Sequence, residues 1–130
     1  MAYQGVTLKG TIPGNDLTFV LNAGITAQDV GKAVTQDTSA ANTVKLAGAG
    51  DPIFGRLETF EDRVVEGVKV GAVKIIAGME LPTASSYTAQ VGDKVIGAAG
   101  GMVTKVGSGE SSDLSVWEVK TGSVIVVKTH

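Results

Sequence analysis

Ile53-Phe54-Gly55-Arg56-Leu57-Glu58-Thr59-Phe60-Glu61 alternates cleanly: Ile53, Gly55, Leu57 and Thr59 share one face, opposite Phe54, Arg56, Glu58 and Phe60. A period of two marks extended backbone, because successive side chains on a strand point to opposite faces. The neighbouring sequence repeats the style. Leu17, Phe19 and Leu21 alternate with Thr18 and Val20, and Val44 to Leu46 predicts a short strand before Gly48-Ala49-Gly50-Asp51-Pro52. Further on, Val68, Val70 and Ala72 share a parity, whereas Val73 and Ile75 take the other. That phase change inside a continuous run predicts a bulge near Gly71 or Ala72, or a strand changing sheets.

Toward the C-terminus, Lys94 to Gly97, Met102 to Val106, Leu114 to Lys120 and Ser123 to Lys128 are strand candidates separated by glycine-bearing turns. Thr121-Gly122 is a two-residue hairpin loop whose type stays open, since a type I′ turn would force threonine to positive φ. Toward the N-terminus, Gly5 to Ile12 predicts a strand or extended arm, ended by the turn Pro13-Gly14-Asn15-Asp16. Thr26-Ala27-Gln28-Asp29 matches a capping box loosely, and Gly31 with the β-branched Val30, Val34 and Thr35 restricts it to one turn of helix before a strand. Thr88-Ala89-Gln90-Val91-Gly92-Asp93-Lys94-Val95 echoes this segment with one residue deleted. Duplication and two independent uses of one turn-to-strand motif explain the echo equally well.

The 130 residues are 43% apolar but only 5% aromatic, so valine and alanine do much of the filling. Small β-branched side chains suit a thin barrel or sandwich interior. The expected fold is all-β: a compact small β-barrel or β-sandwich with at most one or two short helical turns. Residues 1–12 form an extended arm or edge strand, and 13–130 a single β domain whose halves, if duplicated, are about 26–87 and 88–130. A net charge of −2 opposes the phosphate-neutralising surface of a nucleic-acid binder. No basic run or long apolar span points to a membrane. The absence of cysteine excludes disulfides and thiolate sites. Met-Ala-Tyr-Gln-Gly lacks the basic head and apolar run of a signal peptide, so synthesis in a cytoplasm is expected.

Candidate chemistry is sparse. The single histidine, His130, ends the chain, and Ser111, Ser112 or Ser115 beside Asp113 lack a positioned base. Glu58, Glu61, Asp62 and Glu66 cluster in sequence but diverge on a strand, with Arg56, Arg63, Lys69 and Lys74 near enough to compensate them as a solvated charged face. Gly48-Ala49-Gly50 lacks both the lysine of a triphosphate loop and the third glycine of a dinucleotide fingerprint. Trp117, the largest side chain available, is expected in the core rather than as a sugar platform. No catalytic, cofactor or metal site is expected, and the chain is not expected to be an enzyme.

Four segments together, Thr26 to Val34 (TAQDVGKAV), Lys45 to Phe60 (KLAGAGDPIFGRLETF), Gly67 to Val73 (GVKVGAV) and Val91 to Gly97 (VGDKVIG), resemble the capsid decoration, or head cement, proteins of tailed bacteriophages. The resemblance covers about residues 25 to 106 and rests on the order and spacing of short motifs. It implies a compact β domain on the outer surface of an assembled capsid, with the major capsid protein as partner, self-association with a trimer favoured, and no catalytic residues. The N-terminal stretch lies outside the matched region, and in extended form it can reach a neighbouring subunit. Tyr3, Val6, Leu8 and Ile12 are its candidate contacts, either to the capsid or to a second copy. The competing expectations are a tail-tube or tail-associated β protein and, more distantly, a carbohydrate-binding β-sandwich.

Overall fold

The computed structural model describes residues 16–129. Tyr3, Val6, Leu8 and Ile12, the arm that carries them, and His130 lie outside the described residues. The elements are β1 (Asp16–Leu21), a one-turn 3-10 helix (Ala27–Asp29), β2 (Ala33–Gln36), β3 (Thr43–Leu46), β4 (Gly55–Leu57), β5 (Glu61–Arg63), β6 (Val68–Lys74), β7 (Ala77–Pro82), β8 (Val95–Ala98), β9 (Met102–Lys105), β10 (Val116–Lys120) and β11 (Ser123–Lys128). The fold is all-β, and its first half is a small closed barrel of five strands. Around the barrel the order is β1-β3-β2-β4-β6, and β6 returns to pair with β1. All pairs are antiparallel except β1 with β3.

The hub is β6. Against β1 it runs from Asp16↔Lys74 to Val20↔Val70 without a register shift. On its other side it meets β4 at Leu57↔Val73 and then β5 at Glu61↔Val70. That is four steps along one chain against three along the other, so one extra residue is accommodated between Leu57 and Glu61. Ile53 to Glu61 is therefore not one strand, as its alternation predicts, but a strand interrupted by a bulge. The irregularity expected at Gly71 or Ala72 lies on the partner segment facing them. Gly71 explains the placement: a Cβ there would come 2.2 Å from the Thr59 carbonyl oxygen. The segment is stitched to β6 by Ala72 N–H donating to Thr59 Oγ1 (2.9 Å) and Glu58 N–H donating to the Ala72 carbonyl (2.8 Å).

Two apolar cores share one wall. Leu21, Ile25, Val34, Val44, Leu57 and Val73 fill the barrel, with Phe19 and Phe54 edge-to-face at 5.5 Å beside them. Leu17, expected on the same face, is instead largely exposed. Met79, Leu81, Val95, Val103, Val124 and Val126 build the second core with Ala33, Ala47 and Ile53. Consecutive residues of β2 thus serve different cores, and Ala33 and Val34 are both fully buried. A strand apolar on both faces loses its alternation, which is why β2 is hard to read in sequence.

The second core is roofed by the antiparallel sheet β10-β11-β7 and the β8-β9 hairpin. The sheets divide between Lys74 and Ala77, whereas the sequence echo places its division at 87/88. Gly122 closes the β10–β11 hairpin at φ +77°, and Thr121 is not at positive φ, so the turn is not type I′.

Turns here share one device: a carboxylate accepts the N–H of the residue three positions earlier, whose carbonyl accepts the acid's own N–H. Asp29 does this with Thr26, Asp51 with Gly48, Asp93 with Gln90 and Glu110 with Gly107. Such charge-assisted bonds are about twice as strong as neutral ones. At Thr26 the device is a full capping box on the 3-10 turn. In the echo it closes on Gln90 rather than Thr88, so the two Thr-Ala-Gln segments are not equivalent entries.

These bonds set an acid sensitivity. Asp37 accepts from Ser39 Oγ (2.6 Å), Asn22 Nδ2 (2.9 Å) and Ser39 N–H (3.0 Å). Those hydrogen bonds, the Ser39 hydroxyl foremost, hold its carboxyl well down, from 3.8 to about 2. The Tyr87 hydroxyl lowers Asp93. At Asp29 burial acts upward and is outweighed by the Thr26 N–H and Lys32. A carboxyl depressed by folding adds stability above its unfolded value, and that stability is lost as pH falls through the folded value. The melting temperature should therefore drop as pH falls from about 3.8 toward about 2. In thermal melts over that range, Asp37→Asn should show a shallower drop than the parent chain.

Candidate interaction surfaces

The β5–β6 hairpin projects beyond the barrel. The pairing of β1 with β6 ends at Val20↔Val70, whereas β5 follows β6 on to Arg63↔Val68. The turn is closed by Gly67, at φ +75°, whose N–H donates to the Arg63 carbonyl at 2.8 Å. Val64 and Val65 at the tip are 78% and 98% exposed. Around them Glu61, Asp62, Arg63 and Glu66 are all exposed, and Arg63 is tied to Glu61 at 3.1 Å. At the base, Lys69 Nζ donates to the carbonyls of Ala23 and Ile25 (3.0 and 3.1 Å) and stands 5.9 Å from the Phe60 ring centre. The result is an apolar knob with an acidic rim, braced against the barrel end. Burying one valine in a partner is worth about 1.5–3 kcal/mol, so this pair can anchor a contact.

A second surface is the outward face of the β7-β11-β10 sheet, a groove of about 620 Å³ between that sheet and the barrel. Ile125 and Val127 form its half-buried floor. Trp117 is 65% exposed at its side, which corrects the expectation that it lies in the core. The cause is a bulge: Val116↔Val126 is followed by Glu118↔Ile125, so Trp117 is the extra residue and its side chain leaves the core face.

The barrel side of the groove carries an ionic lattice. Glu58 sits between Arg56 and Lys74 Nζ, the latter at 3.9 Å. Arg56 Nε donates to the Glu80 carbonyl (2.8 Å), while Glu80's carboxylate accepts from Ser123 Oγ (2.7 Å) and faces Lys120 Nζ at 3.8 Å. The acidic cluster noted in sequence is thereby divided. Glu58 is enclosed here, and Glu61, Asp62 and Glu66 ride the hairpin.

The remaining candidates have local structural work. Ser111, Ser112 and Asp113 line a depression of about 490 Å³ with Ile53, Phe54 and Lys128, and Ser112 Oγ accepts the Leu114 N–H. In the glycine-rich loop, Gly48 N–H is held by Asp51's carboxylate and Gly50 N–H by the Gly97 carbonyl, so both are engaged internally. Among the described residues no group of three or more His, Cys, Asp or Glu is placed to hold a metal ion. No helix among them is long and apolar enough to cross a membrane.

The four segments behind the phage resemblance build the frame. Their Gly55, Gly71 and Gly97 are positions where a Cβ would fall within 2.7 Å of a backbone oxygen. Compared with family models, curated proteins and solved structures, the chain gives no significant match.

The knob was missed in sequence because Val64-Val65 sits inside a charged cluster that reads as a solvated face. The signal that could have found it was two adjacent β-branched residues flanked by charges and followed by Gly67, which has the form of a hairpin tip.

Proposed function

We propose that this chain is a structural, non-catalytic protein that decorates the outer surface of an assembled phage capsid and stabilises the contacts between capsomers. The observation that carries the binding role is the braced hairpin knob, Val64 and Val65, bare on a rigid frame. Capsid identity is supported by the four-segment resemblance. A pre-organised knob needs little ordering on docking, and self-association, with a trimer favoured, multiplies weak contacts through effective concentration. The acidic rim suits an apolar socket edged by basic groups on the major capsid protein.

The test mixes purified protein with expanded heads and with unexpanded precursors, followed by sedimentation. The parent chain is expected to co-sediment with expanded heads. Val64→Asp combined with Val65→Asp should weaken that binding by more than about tenfold, since 1.4 kcal/mol is a factor of ten. Its melting temperature should stay put, because exposed positions carry little stability. Failure of the parent to bind either head form would sink the capsid reading.

A further inference from the structure

Trp117, expected in the core, stands instead beside a groove whose shape follows from the register of its sheet. On the groove face, Ile125 lies between Glu118 of β10 and Glu80 of β7, its two register partners. Those outer strands are roughly 10 Å apart, two strand spacings, so the two glutamates flank the apolar floor. Two residues on along β11, Val127 is partnered by Gly78, which brings no side chain to the wall it lines. The result is a hollow of about 620 Å³, inside the size range of small-ligand sites. Bulges re-aim side chains beside binding sites, and the bulge in β10 sets Trp117 at the edge of this hollow.

The lining decides the chemistry of a ligand. Its cations Arg56, Lys74 and Lys120 stand with as many anions, Glu58, Glu80 and Glu118. Glu58 and Glu80 are already engaged with those cations. A balanced lining gives no net attraction to a phosphate or a polyamine. An apolar guest fares no better. It would strip water from Arg56 and Glu58, whose side chains are 28% and 21% exposed, and return no hydrogen bonds. A neutral polyol returns them, because each hydroxyl both donates and accepts. A carboxylate has more acceptor sites, and a guanidinium more N–H groups, than one ion pair uses. Ion pairs that hold one another in place therefore still bond a sugar. The C–H face of a pyranose is the matching surface for an indole, since its slightly positive hydrogens meet the negative face of the ring. Trp117, 65% exposed, presents that ring.

We propose that this groove binds a neutral glycan, with a pyranose ring stacked on Trp117 and its hydroxyls bonded to Glu118 on one side and to the Arg56–Glu58 pair on the other. The assignment is independent of what the hairpin knob binds, since Val64 and Val65 belong to the β5–β6 turn and neither lines the groove.

The test is a glycan array carrying neutral and acidic oligosaccharides, with the strongest ligands then titrated in solution by calorimetry. The parent chain should retain neutral hexose oligomers, and binding should move the emission of Trp117, the only tryptophan, to shorter wavelength. Trp117→Ala should weaken binding more than about tenfold, while its melting temperature stays put, as an exposed residue's should. Trp117→Phe, which keeps a ring, should lose less than Trp117→Ala. Val64→Asp combined with Val65→Asp should bind the same glycans unchanged, so failure of the capsid reading and failure of this one are separate results. No binding to any neutral member overturns the proposal, as does binding that Trp117→Ala leaves intact. Retention of acidic glycans alone overturns it too. So does an emission shift that follows protein concentration without sugar, which would seat a second copy in the groove.

Discussion

Gly71→Ala should lower stability by about 3–5 kcal/mol and the melting temperature by at least about 10 °C, the range of severe overpacking. The added methyl would meet the Thr59 carbonyl oxygen at 2.2 Å, with Leu57 Cδ1 and Leu21 Cδ1 at 3.1 and 3.2 Å behind it. A flexible side chain can turn aside, but this oxygen belongs to the bulge backbone. Moving it strains the Ala72–Thr59 and Glu58–Ala72 hydrogen bonds that hold the bulge to β6. Gly122→Ala is the matched control. That glycine has φ +77°, and nothing lies within 4 Å of the place its methyl would take, so only the left-handed backbone penalty of about 1–2 kcal/mol applies. Thermal melts by circular dichroism compare the two. A Gly71→Ala chain as stable as Gly122→Ala would mean that the bulge does not press on β6.

Leu57→Ala and Leu81→Ala should each destabilise by about 2–5 kcal/mol, the usual consequence of emptying a fully buried leucine site. Leu57 lies in the barrel core and Leu81 in the second core, and neither is exposed. More informative than the size is the shape of the transition. Because β2 gives Ala33 to one core and Val34 to the other, neither core can lose its wall without opening its neighbour. Each variant should therefore unfold in one transition, with far-ultraviolet ellipticity and Trp117 fluorescence changing together. Two separated transitions in either variant would show that the cores melt independently.

The sequence was most legible where local chemistry acts alone. Ser123 to Lys128 is a strand with the predicted ends, and the Thr26 box caps a single turn as expected. The parity change in Val68 to Ile75 rightly signalled a bulge but not its owner. Parity records only that two chains fall out of step, and the partner's backbone decides which one carries the extra residue. Trp117 was misplaced for the same reason: its bulge arises from register with β11, which no residue of β10 announces. Barrel closure was equally hidden, since β1 and β6 pair between residues 50 to 58 positions apart, from Val20↔Val70 to Asp16↔Lys74, with no turn to mark it. Of the candidate surface, the sequence showed the charges of the 61–66 cluster but not the exposure of the valines within it. Exposure there follows from where β1 stops pairing with β6, and that is a tertiary fact.

Barrel closure also imposes an order of events at birth. Asp16 and its partner Lys74 are 74 − 16 = 58 residues apart. A ribosome adding roughly 5–20 residues per second delivers the second about 3–12 s after the first. For that interval β1 has no β6 to pair with, while β2, β3 and β4 can already form their hairpins. The oldest strand of the barrel waits for the youngest, and the ring locks only when β6 arrives.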